Sequence, residues 1–230
     1  MTKILCLETA TEICSVAISI NGQVVGLKET SDQNSHSEKL TVFTAELLEK
    51  CGLSIRDIDA VAVSMGPGSY TGLRIGTSSA KGFCYALDIP LIAVSTLQAI
   101  ANGAKNLVKT NGIQIIPMID ARRMEVYTAT YDVDLSIIEA VRAVVVDENY
   151  VEQLSKASPM FFCGNGALKC ASILEIIPNV IIQDLPCSAS FMASIAQEKF
   201  SNQQFEDVAY FEPFYLKDFI AAQSYVKGLR

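Results

Sequence analysis

The stretch that decides the fold reads Ser64-Met65-Gly66-Pro67-Gly68-Ser69-Tyr70-Thr71-Gly72-Leu73-Arg74-Ile75-Gly76. An apolar strand over residues 60–64 enters its glycine-proline turn, and a helix over residues 71–87 leaves it. Pro67 removes one amide donor from the turn and no Gly-Lys-Ser/Thr sequence follows, so the turn is not a Walker A phosphate loop. The stretch therefore predicts a sharp turn between a buried strand and a helix.

The glycine-proline turn has two interpretations. Because it precedes the start of a helix, where backbone amides are free, it could hold an anion at Gly66, Gly68 and Ser69. The alternative is a tight turn that uses only the backbone freedom of glycine. We favour the tight turn, since Pro67 lacks the amide that an anion cradle would use.

The helix after the turn carries small residues at Gly72, Gly76 and Ala80, which recur every four positions and share one face. A glycine inside a helix costs about 1 kcal/mol relative to alanine, so two glycines on one face indicate that another backbone lies close by. That backbone belongs either to the protein's own sheet or first helix, or to a second protein chain. The high apolar content of the chain favours a second chain.

The first helix is predicted over residues 35–51, where Ser35 and Glu38 form a capping box. Its apolar residues extend beyond one stripe, which indicates contacts on two sides. We therefore expect both helices to form an interface with another chain. The candidate interface residues are His36, Leu40, Phe43, Leu47, Gly72, Leu73, Gly76, Thr77, Ala80 and Phe83.

The order of predicted elements along the chain is βββαβαβα, and it occurs twice. Asn21-Gly22 is a strong hairpin signal between the second and third strands. We expect an α/β protein with two domains, residues 1–110 and residues 111–230. Two successive βββαβαβα units resemble the actin, hexokinase and Hsp70 ATPase superfamily, whose domains are ribonuclease H-like.

In that superfamily the first hairpin of each half faces nucleotide phosphates and metal. Here the first hairpin turn reads Glu8-Thr9-Ala10-Thr11 and contains no glycine that would let the backbone close on a phosphate. Its counterpart reads Asp120-Ala121-Arg122-Arg123. Both turns argue against a competent ATPase site, although a small ATP-dependent phosphotransferase remains the alternative function.

The inventory of metal ligands and nucleophiles is also poor. His36 is the one histidine of the chain, and no cysteine pair has the C-x-x-C spacing of a zinc site. A Ser-His-Asp hydrolase would have to use His36, whose serine neighbours are better explained as helix caps. We expect no metal and no catalytic residue.

The composition restricts the class of protein. Half of the 230 residues are apolar, mean hydropathy is +0.30, and no apolar run approaches the roughly 20 residues of a membrane helix. The net charge of −7 and the scattered basic residues argue against tight nucleic-acid binding by the chain alone. Most of the seven cysteines lie in apolar runs, which together with the absence of a signal peptide predicts a cytoplasmic protein with reduced thiols.

Several segments together resemble one family, TsaB (also called YeaZ), an accessory protein of tRNA threonylcarbamoyladenosine synthesis in bacteria. The resemblance rests on residues 4–11, residues 36–40, the glycine-proline stretch of residues 64–76, and the late Pro213-Phe214-Tyr215-Leu216-Lys217. It is strongest over residues 1–110. The family more often has aspartate where this chain has Glu8, and often phenylalanine where it has Tyr70.

The resemblance implies a non-catalytic scaffold. The family is a degenerate paralogue of TsaD, which carries an H-x-x-x-H metal motif and transfers a threonylcarbamoyl group to adenosine 37 of tRNAs that read codons beginning with A. The first two helices of family members pair with those of TsaD or of a second copy, and the complex recruits the P-loop ATPase TsaE. Contact with tRNA is then expected only through the complex, and ATP or ADP only at a junction with partner subunits.

Overall fold

The structure, a computed structural model, describes residues 1–32, 36–108, 112–154 and 159–217. Ser35 of the expected capping box lies outside these ranges. The first unit contains five strands and three helices, in the order β1 (Lys3–Glu8), β2 (Cys14–Ile20), β3 (Gln23–Thr30), α1 (His36–Lys50), β4 (Ala60–Gly66), α2 (Tyr70–Leu87), β5 (Leu91–Ser95) and α3 (Thr96–Lys105). A 3₁₀ turn, Ile55–Asp57, precedes β4.

The second unit repeats this order with shorter helices. Its elements are β6 (Gln114–Asp120), β7 (Glu125–Tyr131), β8 (Ile137–Val145), α4 (Glu148–Gln153), β9 (Met160–Cys163), α5 (Asn165–Lys169), α6 (Ala171–Leu174), β10 (Val180–Gln183) and α7 (Ala193–Ser201). A 3₁₀ turn, Ala189–Met192, leads into α7.

The two sheets have the same topology. The first has the strand order β3-β2-β1-β4-β5, and the second has β8-β7-β6-β9-β10 when read in the equivalent direction. In each sheet the first three strands form an antiparallel meander and the last two run parallel to the first. The hairpin at Asn21-Gly22 is present, with positive φ at both residues. The duplicated α/β fold is therefore confirmed.

The described elements stack in five layers. Helices α1 and α2 cover one face of the first sheet, through Leu40, Leu47 and Cys84. Helix α3 lies between the sheets, since Ala99 packs on the first and Leu97 packs on the second. Helices α4 to α6 cover the outer face of the second sheet.

Helix α7 departs from the predicted domain boundary. Met192 and Ile195 pack against Ile4, Ile92 and their neighbours on the first sheet, although residues 111–230 were expected to form a separate domain. The amide of Ala189, at the start of this segment, donates to Ser15 Oγ of β2 at 2.8 Å. The segment from Ala189 to Ser201 thus belongs to the core of the first unit, because that face of the first sheet is apolar and needs a cover.

Candidate functional site

The turn between β1 and β2 is packed tightly against the glycine-proline turn and the start of α2. Thr9 Oγ1 donates to the carbonyl oxygen of Gly72 at 2.8 Å, and the Ser69 amide donates to the carbonyl oxygen of Ala10 at 2.7 Å. A Cβ atom on Gly68 would overlap Ala10, and one on Gly72 would overlap the carbonyl of Thr9. The glycines therefore admit the backbone of the first hairpin.

This packing corrects the expected role of the small residues. A Cβ atom on Gly76 would overlap the side chain of Thr9, and Ala80 is fully buried in the core of the first unit. The residue that approaches Gly72 with its backbone and Gly76 with its side chain is Thr9, in the β1–β2 turn of the same chain, and not a residue of a partner helix or of the first helix. Four more of the candidate interface residues are buried within the chain, namely Leu40, Leu47, Leu73 and Thr77.

The glycine-proline turn uses its amides internally. The Ser69 amide is bonded to Ala10, and the Gly72 amide donates to Ser69 Oγ at 3.3 Å in an N-cap. Gly66 has φ +112° and its Cβ position is 2.5 Å from the carbonyl oxygen of Phe214. The geometry matches the tight turn that the sequence favoured, and an anion contact at Gly66, Gly68 and Ser69 remains an untested prediction.

Glu8, the acidic residue of the first hairpin, lies beneath its turn and only 1% of it is exposed. Its Oε1 accepts from the Ala10 amide at 2.6 Å and from Ser64 Oγ at 2.9 Å, while Oε2 has no partner among the described residues. Burial raises the pKa of the Glu8 carboxyl to about 7, against the opposing effect of these hydrogen bonds. The side chain thus holds the turn from below.

A cleft of about 850 Å³ separates the first hairpin from its counterpart in the second unit. Glu12 and His36 line it on one side, and Asp120, Arg122 and Tyr127 line it on the other. Asp120 accepts from the Arg122 amide at 2.7 Å and from Lys169 Nζ at 2.5 Å. The carboxylate of the second turn is therefore engaged by its own unit.

His36 was predicted on the helical interface, and the structure places it at the cleft. It is the first residue of α1, and its Nε2 lies 3.0 Å from the carbonyl oxygen of Thr11 in the first hairpin turn. Of the remaining candidates, Phe43 and Phe83 are partly exposed beside the core of the first unit. The cleft and the helical surface are thus different regions of the molecule.

Asn165 is a cleft residue that the sequence interpretation missed. Its Nδ2 donates to Glu12 Oε2 at 3.0 Å, and its Oδ1 accepts from the Asp120 amide at 3.0 Å, so it joins the two units. It lies between Gly164 and Gly166, whose Cβ positions fall against Met118 and Ile119. Asn165 follows β9 as the glycine-proline turn follows β4, and this internal repeat is the sequence signal that could have identified Asn165 as a cleft residue.

The outward faces of α1 and α2 carry apolar and small side chains. Tyr85 is 86% exposed and Val42 is 45% exposed, while Ala45 and Ala86 are also exposed. Gly82 faces outward with no heavy atom within 4 Å of its Cβ position. This surface, in contrast to the Gly72–Gly76 face, is open to another molecule.

The cysteines and the acidic side chains add little chemistry in the part of the chain that the structure describes. All seven thiols are free, and all but Cys51 are buried. Burial raises the pKa of Cys6 to about 12 and that of Cys84 to about 11, so these thiols are unreactive at neutral pH. In the part of the chain that the structure describes, no three acidic, histidine or cysteine side chains are grouped for a metal ion, and no helix has the length and apolarity to cross a membrane.

The fold is that of the actin and hexokinase class, duplicated α/β proteins with a cleft between two similar sheets. The activator of 2-hydroxyisocaproyl-CoA dehydratase from Clostridium difficile, solved with bound ADPNP, shares this fold at 13% identity with a TM-score of 0.53 over 90% of this chain and 99% of that one. The structure of YeaZ from Pseudomonas aeruginosa matches with a TM-score of 0.81 at 25% identity, over 94% of this chain and 100% of that one.

Sequence comparison gives the family. The family model of TsaD, tRNA N6-adenosine threonylcarbamoyltransferase, matches residues 23–225. The tRNA threonylcarbamoyladenosine biosynthesis protein TsaB of Escherichia coli K12 is 33% identical over 226 residues, 95% of this chain and 96% of the relative. TsaB of Bacillus subtilis is 33% identical over 200 residues, 84% of this chain and 81% of the relative. The chain belongs to the TsaB family.

Proposed function

We propose that this protein is an accessory subunit in the synthesis of threonylcarbamoyladenosine on tRNA, at adenosine 37 of tRNAs that read codons beginning with A. The observation that carries the proposal is the likeness to TsaB proteins along nearly the whole chain. The match of the TsaD family model adds support for the same modification. The seven free thiols support a cytoplasmic location.

The proposed role is non-catalytic, and the two hairpin turns support it. In the first, Glu8 is directed into the core and the Ser69 amide is bonded to the hairpin itself. In the second, Asp120 is paired with Lys169 and its own turn. The Glu8 carboxylate, the Ser69 amide and Oδ1 of Asp120, groups that a phosphate-binding site would direct at a ligand, thus have hydrogen-bond partners within the protein.

The subunit acts, in this proposal, by pairing with another protein chain through the outward faces of α1 and α2. Small and apolar residues such as Gly82, Ala86 and Val42 allow a second pair of helices to approach. A TsaD-like paralogue is the proposed partner, with a second copy in its place when the chain is alone. A TsaE-like ATPase joins the complex, any nucleotide lies at a subunit junction, and tRNA is reached through the complex because the chain itself is acidic.

Reconstitution tests the proposal. The chain is purified together with the TsaD-like and TsaE-like proteins of its own organism, and threonylcarbamoyladenosine is measured in tRNA with each protein omitted in turn. Loss of modification when this chain is omitted, with no ATP turnover by the chain alone, is the expected result. Full modification in its absence, or ATP turnover by the isolated chain that Asp120→Asn abolishes, would contradict the accessory role and favour a phosphotransferase.

A further inference from the structure

The last described segment, residues 205–217, crosses the molecule, and we call it the strap. It leaves α7 and pairs with the edge of the first sheet, where the Glu206 amide donates to the carbonyl oxygen of Leu91 at 2.9 Å. Lys81 of α2 then donates to the carbonyl oxygens of Ala209 and Phe211, at 3.0 and 3.2 Å. Phe211 is buried in the core of the first unit. The first half of the strap is therefore firmly anchored.

The second half of the strap runs from the first unit to the second. The Phe214 amide donates to the carbonyl oxygen of Met65 at 2.7 Å, beside Gly66. The ring of Tyr215 lies 5.0 Å from the ring of Tyr70, centroid to centroid. Lys217 Nζ forms an ion pair with Glu125, the first residue of β7. Tyr215 and Lys217 both line the cleft, so the strap passes along it from one side to the other.

A second connection crosses the same cleft at the hairpin turns. It is the hydrogen bond from Asn165 of the second unit to Glu12 of the first. The side chain of Lys217 is 46% exposed and that of Glu125 is 22% exposed, and an ion pair in such surroundings is weak. The strap is therefore held firmly by its contacts with the first unit and only weakly by the ion pair that crosses the cleft to Glu125.

We propose that the strap is a latch that sets the width of the cleft. Detachment of Tyr215 and Lys217, with Phe211 still anchored, removes the connection of the strap to β7 and leaves the hydrogen bond from Asn165 to Glu12 as a connection between the two units at the hairpin turns. The cleft then opens about the α3 layer, and its turns become accessible to solvent or to a ligand. Because Lys81 and Tyr70 of α2 both hold the strap, a molecule that contacts α2 acts on the latch directly.

Amide hydrogen exchange of the full chain, followed by mass spectrometry, tests the latch. Tyr215→Ala removes the ring contact, and we expect exchange in the turns at residues 9–13 and 120–125 to rise about threefold to tenfold. Lys217→Gln and Glu125→Gln should each raise it about twofold to fivefold. The double variant should raise it no further than either single change, because both remove the same ion pair.

Two controls make the result specific. Lys50→Gln, at the exposed end of α1, changes the net charge by the same amount as Lys217→Gln and should leave exchange in both turns unchanged. Peptides from β1 and β4 report on global loosening and should keep their slow exchange in every variant. The latch would be overturned if exchange in the turns were unchanged in Tyr215→Ala and Lys217→Gln. It would also be overturned if the effects of Lys217→Gln and Glu125→Gln were additive, or if exchange in β1 and β4 rose as much as exchange in the turns.

Discussion

The side chain of Thr9 fills the space that Gly76 leaves open on α2. Its hydroxyl donates to the carbonyl oxygen of Gly72 one turn earlier, at 2.8 Å. The first hairpin therefore rests directly on the helix backbone, and the closeness depends on two residues without side chains. This contact explains why glycine is needed at positions 72 and 76, where the first hairpin packs against α2.

The contact predicts a rescue experiment. Gly76→Ala should lower the free energy of unfolding by about 1–3 kcal/mol, because the new methyl group overlaps Thr9 Oγ1. Adding Thr9→Ala should recover part of this loss, since it removes the overlapping atom. Gly72→Ala should show no such recovery, because its overlap is with the backbone oxygen of Thr9. Urea unfolding of wild type, of Gly76→Ala and Gly72→Ala, and of each glycine variant combined with Thr9→Ala measures these differences. Equal recovery of stability in the two combined variants would contradict the contact.

Gly82 lies on the outward face of α2. Gly82→Ala should raise the free energy of unfolding by about 1 kcal/mol through helix propensity alone, since its Cβ position is open. Gly82→Arg should leave the monomer folded and abolish pairing with a second copy or with the TsaD-like partner, because its long side chain blocks the surface.

Size-exclusion chromatography with light scattering reads the pairing of the Gly82 variants. Leu168→Arg is the matched control, since Leu168 is also exposed but lies on α5 of the second unit. Pairing that survives Gly82→Arg would exclude this face of α2 as the interface.

The buried carboxyl of Glu8 predicts a pH dependence of stability. Its folded pKa of about 7 lies above the ordinary value of 4.5, so the folded state binds more protons between these pH values. The free energy of unfolding contributed by this group therefore falls as pH rises from 4.5 to 7, by about 3 kcal/mol in total. Glu8→Gln keeps the shape and cannot ionise.

The comparison of wild type with Glu8→Gln isolates this effect from all other titrating groups. Urea unfolding should show that the free energy of unfolding of Glu8→Gln, relative to that of wild type, rises by about 3 kcal/mol from pH 5 to pH 8. Parallel pH profiles of the two proteins would mean that Glu8 is ionised at little cost in the folded state.

The hydrogen bond between Ser15 and the 3₁₀ turn that precedes α7 also predicts an effect on stability. Ser15→Ala leaves the buried amide of Ala189 without its acceptor and should lower the free energy of unfolding by about 1–3 kcal/mol. Thr96→Val is the control, because the buried hydroxyl of Thr96 has no partner among the described residues. It should leave stability unchanged or higher. An equal decrease in the free energy of unfolding of Ser15→Ala and Thr96→Val would contradict a specific contribution of the hydrogen bond between Ser15 and Ala189.

The local parts of the fold could be predicted from the sequence. Strand and helix periodicity, the Asn21-Gly22 turn and the repeated βββαβαβα order depend on residues close together in the chain, and all are present. The sequence could not predict that the face of α2 with Gly72 and Gly76 packs inside the same chain, because a helix face of small residues fits a hairpin turn as well as a partner helix. Only the position of Thr9, more than 60 residues away by sequence, decides between them.

The same limit applies to the cleft and the strap. Asn165 reaches Glu12 across 153 positions of the sequence, and Lys81 reaches the Phe211 carbonyl across 130. Such contacts join polar groups with no periodicity that a sequence pattern could reveal. The aromatic content of residues 210–216 indicates a segment that packs on the protein, but it does not indicate which surface the segment contacts.

The return of α7 to the first sheet has a consequence for synthesis on the ribosome. One face of that sheet, with Ile4, Ile92 and Val94, is completed by Met192 and Ile195 near the end of the chain. At about 5–20 residues per second, the roughly 90 residues between α3 and α7 take several seconds or more to emerge. During that interval the nascent first half exposes an apolar sheet face, and we expect chaperones that recognise such surfaces to bind it there.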